Sequence, residues 1–321
     1  MLISIIIPIY NTAPYLKRLC DSLKAQNLDD VELVFIDDCS TDNSAIELDN
    51  CLRELNHSHV QLLKNATNLG SGETRNKGIR AANGDYVIFI DSDDYISENH
   101  IAKLRPLAEE KKYDIIIFDI VELRQQKKIY KDCTPSKNRD ENIANLIIGK
   151  MHNSLCNKLI RRHLYIDNNI FMPAGISLFE DKTVCFKLFE KAESIYHINQ
   201  GLYFYDRNRV KSLTNINNEG SIISSILLLD VVNGYYNGRE CPEIITNAIV
   251  NNRIVNTGYI ALNGQWLARD EYLPKIGKIS FSSFFNGSNI PLHYKVAAFC
   301  YYYNLKFILL LVKKFYLKLK K

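Results

Sequence analysis

Several signatures are missing from this chain of 321 residues, and each absence removes a class of protein. The eight cysteines, at positions 20, 39, 51, 133, 156, 185, 241 and 300, include no Cys-x-x-Cys pair. That argues against a zinc site and against a dense disulfide scaffold, and the expectation is of reduced thiols in a cytosolic compartment. No stretch supplies the roughly eighteen uninterrupted apolar residues of a membrane-spanning helix; the nearest, Val296 to Val312, is broken by Asn304 and Lys306. The glycine-rich segment 68–78 lacks P-loop spacing, and no Gly-x-Gly-x-x-Gly follows the first apolar run, so ATP hydrolysis and dinucleotide binding both lose support. A formal net charge of +4 is too small to imply nucleic acid. There is no internal repeat, and Met1 to Pro8 lacks the basic start of a signal peptide and reads as a strand.

What remains is a globular composition, 46% apolar and 24% charged, with a clear alternation. Strand-like runs at 2–9, 31–37, 59–64, 85–90 and 113–120 alternate with helix-like segments near 13–26, 42–55, 71–82 and 97–111. Short, almost continuously apolar strands suit a mainly parallel sheet flanked by helices, an α/β fold that binds ligands beyond the carboxyl ends of its strands. From about residue 121 to 215, Lys/Arg/Asn-rich loops separate shorter segments, where substrate specificity is expected. Residues 220–272 return to helical spacing, and a joint at Ser280 to Pro291 precedes a basic, aromatic tail.

The chemistry-bearing residues fall at strand ends. Gly84 to Ile90 runs into Asp91, Ser92, Asp93 and Asp94; carboxylates at i and i+2 reach one crevice, and hard oxygens suit Mg²⁺ or Mn²⁺ bridging to a diphosphate. The same tetrapeptide also serves turns and helix caps. Asp37-Asp38 follows the second strand, with Ser40 or Thr41 in capping position. Asn68 to Gly78 is a glycine-rich turn whose Arg75 offers bidentate pairing to phosphate, or sits on a solvated helix start. Asp181 in Phe179-Glu180-Asp181-Lys182 is either a helix-start acid or a base able to take a proton from an attacking hydroxyl. Arg207 and Arg209 in Tyr203 to Thr214 either offset charge on a departing diphosphate or are surface charge. His152 and His197 are either extra metal ligands or, as single histidines more often are, ordinary polar residues.

Taken together, these pieces resemble the family 2 glycosyltransferases of the GT-A (Rossmann-like) fold, in particular bacterial enzymes that build capsule, lipopolysaccharide or teichoic-acid glycans. The resemblance spans roughly residues 1–215 and is strongest at the N-terminus. Ser4 to Asn11 resembles the family's opening strand, which implies that Pro8 and Tyr10 frame a uracil, with Asn11 part of the same donor site, and that Asp38 binds the nucleobase. It likewise implies a nucleotide contact at Arg75; the segment Tyr205 to Thr214, which carries Arg207, matches more loosely, with Asp206 and Asn208 where the family pattern more often has aromatic or apolar residues. Asp91-Ser92-Asp93 resembles the DxD element, implying Asp93 as direct metal ligand and Asp91 as a ribose or metal-water contact. Cys156-Asn157-Lys158 and Glu180-Asp181 resemble acceptor-side motifs, which makes Asp181 the implied base.

The resulting expectation is an inverting transferase, dependent on Mn²⁺ or Mg²⁺, that moves a hexose or N-acetylhexosamine from a UDP-sugar to a glycan or lipid-linked glycan hydroxyl. Residues 1–120 would form the nucleotide-sugar half and 121–215 the acceptor half of a catalytic domain, followed by a helical extension over 216–321. The basic amphipathic tail 294–321 fits an anionic membrane surface, placing the enzyme in the cytoplasm against the inner face of the cell membrane. Two rivals stand beside this reading. Val87 to Asp93 also reads as a haloacid-dehalogenase-like phosphatase strand, although Tyr95 occupies that family's Thr or Val position. The other rival is a non-catalytic, membrane-associated glycan-binding protein.

Overall fold

The structure is a computed structural model that describes residues 1–125, 127–173, 181–208, 218–263, 269–286 and 290–319. Glu180, Arg209, Ser212, Thr214 and the turn at Ala174-Gly175 lie outside the described residues.

The first half alternates as its sequence pattern predicts. Strands β1 (Ile3–Ile9), β2 (Val31–Asp37), β3 (Val60–Lys64) and β4 (Tyr86–Phe89) are separated by helices α1 (Ala13–Lys24), α2 (Ser44–Leu55) and α3 (Gly70–Ala81). β1, β2 and β4 are almost wholly buried, which is why their apolar residues run continuously rather than alternate. Helix α1 buries Leu16, Leu19, Cys20 and Leu23, one stripe at helical spacing, and carries a proline in its first turn. Helix α2 stops at Asn56, which takes the left-handed conformation common at helix ends. Gly78 lets α3 press on β1, since a Cβ there would sit 2.3 Å from Ile6 Cγ2.

Beyond β4 come β5 (Tyr95–Ile96), α4 (His100–Glu109), β6 (Ile115–Arg124), β7 (Lys127–Lys131), α5 (Arg139–Ile147), β8 (Lys158–Arg161), α6 (Arg162–Asp167), α7 (Asp181–Lys191) and β9 (Ile195–Asp206). One sheet runs in the order β3-β2-β1-β4-β8-β6-β9-β5, with β7 on β6. Its longest ladders, β1 with β2 and β6 with β9, are parallel; β8 is inserted antiparallel between β4 and β6. The connections from β1 lead to β2 on one side, while β4 lies on its other side, so the carboxyl ends of β1 and β4 flank a topological switch point.

The chain divides into two compact units. One comprises Met1–Ser136 with His152–Ile216; the other comprises Lys137–Met151 with Asn217–Lys321. Helix α5, within the span assigned from sequence to the acceptor half, groups with the C-terminal helices. These are α8 (Asn218–Tyr236), α9 (Glu243–Leu262), α10 (Arg269–Ile276), α11 (Ser283–Asn286), α12 (Leu292–Tyr302) and α13 (Lys306–Leu319). Asn138 caps α5 by accepting a hydrogen bond from Glu141 N.

Two sequence expectations are corrected here. Cys20 and Cys51 are joined in a disulfide, because α1 and α2 pack side by side and bring their Cα atoms to 5.8 Å; the remaining six cysteines are free. The tail is not a single surface element: α12 buries Ala297, Ala298, Cys300 and Tyr301 in the core of the second unit. Helix α13 exposes Phe307, Ile308, Leu310, Leu311 and Phe315 while Leu309 packs inward. No helix among the described residues is long and apolar enough to cross a membrane.

Candidate active site

The four residues after β4 are built into one polar knot. Asp94 is fully buried; its Oδ2 accepts from the Tyr203 hydroxyl at 2.6 Å and its Oδ1 from Asp206 N at 2.8 Å. Burial, followed by the charges of Asp93 and Asp91, pushes its carboxyl well above the usual range. Ser92 is buried and accepts from Thr12 Oγ1 at 2.9 Å, tying the end of β4 to that of β1. Asp93 is held through its backbone, whose carbonyl accepts from Arg18 Nη2 at 2.7 Å. Crowding of carboxylates at one strand end gives an oxygen-only donor set, and Asp91 with Asp93 suits a hard divalent cation.

Arg75 reaches this knot from α3. Its guanidinium pairs with Asp91 Oδ1 at 2.7 Å and with Asp181 Oδ1 at 3.5 Å, so the acids at 91 and 181 share one cation. Asp181 opens α7, and its Oδ2 accepts from Leu155 N at 3.4 Å. Next along, the Cys156 thiol donates to Asp91 Oδ2 at 3.3 Å, and burial first, then Asp91, pushes that thiol well above its ordinary range. The 152–158 turn that presents both groups is fastened by the buried Lys158, whose ammonium donates to His152 O, Ser154 O and Asn157 Oδ1. Asn157 donates in turn to Phe118 O at 2.9 Å. The Asn-Lys pair thus shapes the site from beneath.

Beyond the carboxyl end of β1, where Pro8 lies opposite Ile36, Tyr10 is 44% exposed. Asn11 accepts from Thr41 N and Asp42 N, and its own N donates to Ser40 Oγ, so it ties the loop after β1 to the loop after β2. Asp38 accepts from Asn65 Nδ2 and Leu69 N on Oδ1 and from Gly70 N on Oδ2. Those bonds wrap the glycine-rich turn around the carboxylate and occupy three of its roughly four acceptor positions. Arg207 lies over the Tyr205 ring at 4.6 Å and donates to the buried Glu122 at 3.4 Å.

Several residues of this site carried no sequence signal. Arg18, a plain helical arginine, pairs with Asp206 at 2.6 Å and lies over Tyr95. Among the described residues, a preassembled group of three metal-type ligands occurs away from β4: Asp119, Asp132 and His197, with ligand atoms within 4.8 Å. There His197 Nε2 lies 2.9 Å from Asp119 Oδ1, which also accepts from Cys133 N, while Tyr130 donates to Oδ2. These bonds stitch β6, the strand end of β7 and β9 at the irregular register around Asp119.

A parallel-sheet switch point with acids at its strand ends is the GT-A arrangement. Residues 4–168 match the description "Glycosyl transferase family 2", and the chain belongs to that family. Among its relatives, the uncharacterized glycosyltransferase EpsJ of Bacillus subtilis (strain 168) is 30% identical over 223 residues, covering 67% of this chain and 63% of that protein. The poly(ribitol-phosphate) beta-N-acetylglucosaminyltransferase TarS of Staphylococcus aureus (strain Mu50 / ATCC 700699) is 27% identical over 215 residues, covering 65% of this chain and 36% of TarS. The chain therefore aligns with a little under two thirds of EpsJ and about one third of TarS. The crystal structure of S. aureus TarS 1-349 superposes with a TM-score of 0.74 at 19% identity over 99% of this chain and 92% of that one, a likeness of fold.

Proposed function

We propose that the chain is an inverting, metal-dependent transferase that moves a hexose or N-acetylhexosamine from a UDP-sugar to a hydroxyl of a bacterial surface glycan. The observation that carries this reading is the Arg75 guanidinium, which joins Asp91 on the donor side to Asp181 on the acceptor side. A TarS structure with a TM-score of 0.63 was solved with UDP-GlcNAc, and the poly(ribitol-phosphate) transferase TarS supports a cell-wall glycan acceptor.

In this reading Tyr10 and Pro8 face the uracil, and Asp38 meets it with the acceptor position its turn leaves. Asp93 and Asp91 hold Mn²⁺ or Mg²⁺, which when bound supplies charge neutralisation to the diphosphate. A mannosyltransferase of the same fold, PcManGT of Pyrobaculum calidifontis, was solved with GDP-Man and Mn²⁺. Asp181 takes the proton of the acceptor hydroxyl as that oxygen bonds to the anomeric carbon, and the bond from that carbon to the diphosphate breaks with its electron pair leaving on UDP. A single base opposite the leaving group gives inversion. Arg207 is assigned to the diphosphate end. Residues 1–120 serve the donor and 121–215 the acceptor, and the enzyme works against the inner face of the cell membrane through α13.

Family membership disfavours the phosphatase rival. The test is a screen of UDP-Glc, UDP-Gal, UDP-GlcNAc and UDP-GalNAc for Mn²⁺-dependent hydrolysis or transfer. Turnover of one donor with release of UDP supports the reading; phosphate release from an aryl phosphate with no UDP binding overturns it.

A further inference from the structure

Charge is divided unevenly along this chain. Nine of its 40 basic residues and none of its 36 acids lie from Tyr272 onward, so a chain of net +4 carries −5 before that point and +9 after it. Fifty residues without a carboxylate cannot offset their own charge, and the field they set up attracts a polyanionic surface. Exposed rings lie on the same stretch. Phe284 of α11 turns into a core with Ile254, Ile279 and Ala298, while its neighbours Phe281 and Phe285 stay 60% and 62% exposed. Their ring centroids are 5.2 Å apart, and Phe281 lies 6.1 Å from Tyr303, which follows α12 and is 40% exposed. Phe299 packs against all three. Exposed Lys278 and Lys306 flank the cluster in sequence. A joined apolar patch of this kind marks a docking surface.

We propose that the cluster of Phe281, Phe285 and Tyr303 is a second membrane-docking element, seating its rings in the interface of an anionic bilayer while the lysines after Tyr272 meet the lipid headgroups. It rests on the membrane placement given above, which uses α13 alone, and extends it to rings that precede the tail 294–321. Charge selects the occupant. A second copy meeting this face with its own would set nine lysines against nine, whereas an anionic headgroup layer offers each a partner. Rings already fixed on a folded unit bury apolar area in the headgroup boundary, and a tyrosine hydroxyl stays wet there.

The experiment is co-sedimentation of the full chain with phosphatidylglycerol vesicles, comparing wild type with a Phe281→Ser, Phe285→Ser variant and with a Phe307→Ser, Phe315→Ser variant of α13. The proposal predicts that the first variant loses vesicle binding by more than about fivefold with its thermal midpoint unchanged, since both rings are mostly exposed. Binding kept within that limit overturns it, and loss in the α13 variant alone leaves α13 as the docking element. Self-association in light scattering that the serines at 281 and 285 abolish, with vesicle binding kept, assigns the patch to a second copy and also overturns it. If those serines lower the midpoint, Lys278→Glu, which keeps every ring, is read against the same limit. Wild type that does not bind anionic vesicles refutes the membrane placement itself.

Discussion

The Tyr203 hydroxyl donates to Oδ2 of Asp94 at 2.6 Å across 109 positions of sequence, and the same phenol oxygen accepts from Asp91 N at 3.2 Å. One side chain of β9 thereby fixes the acidic turn after β4. Removing it strands a fully buried acceptor, so Tyr203→Phe is expected to lose about 1–3 kcal/mol of stability in urea unfolding. Asp94 binds its proton more tightly folded than unfolded, and its stabilising contribution falls as pH rises through that interval. Asp94→Asn should flatten that fall and cost less than Tyr203→Phe; an equal or larger cost would contradict this assignment.

His100 gives the opposite slope. It is fully buried, its Nδ1 lies 3.0 Å from Leu202 O, and burial pushes the imidazole down to about 4 from 6.5. The unfolded chain therefore binds the proton first, and stability present above pH 6.5 is lost as pH falls toward 4. At roughly 1.4 kcal/mol per pH unit the loss approaches about 3 kcal/mol. Urea midpoints at pH 7 and pH 4.5 should show a shallower drop for His100→Asn, which keeps a donor for Leu202 O, than for wild type.

Gly258 on α9 lies against α12, where an added Cβ would meet Tyr294 O at 2.4 Å. Backbone cannot yield as a flexible side chain does, so Gly258→Ala should destabilise the second unit by about 1–3 kcal/mol. Thermal unfolding of the full chain measures it, and an unchanged midpoint would contradict the close approach.

The outer face of α13 combines exposed Phe307, Leu311 and Phe315 with Lys306 and Lys314. Co-sedimentation with phosphatidylglycerol vesicles should exceed that with phosphatidylcholine vesicles. It should fall about tenfold in a Phe307→Ser, Phe315→Ser variant, given the area of two aromatic rings. Equal binding by the variant would remove α13 from any membrane role.

The first half of the fold was legible because its strands are short, apolar and spaced by amphipathic helices; β2 runs Val31–Asp37, the span its pattern predicts. The antiparallel insertion of β8 was not, since its four residues Lys158–Arg161 pair with β4 and β6, both distant in sequence, and no local spacing encodes that placement. Asp91, Asp93 and Asp181 stood out by type and by family resemblance. Arg18, Tyr203 and the Asp119–His197 pair did not, because their partners lie 78 to 188 positions away and no local spacing encodes them. The Cys20–Cys51 link was missed for the same reason: only the packing of α1 on α2 brings the pair together.

The central claim is that Asp181 serves as base beside a donor site anchored at Asp91 and Asp93. Its most direct measurement is Asp181→Asn assayed for both UDP binding in Mn²⁺ and sugar transfer. The account predicts UDP affinity near that of wild type, with transfer reduced by at least about a hundredfold. Full transfer by Asp181→Asn would contradict it.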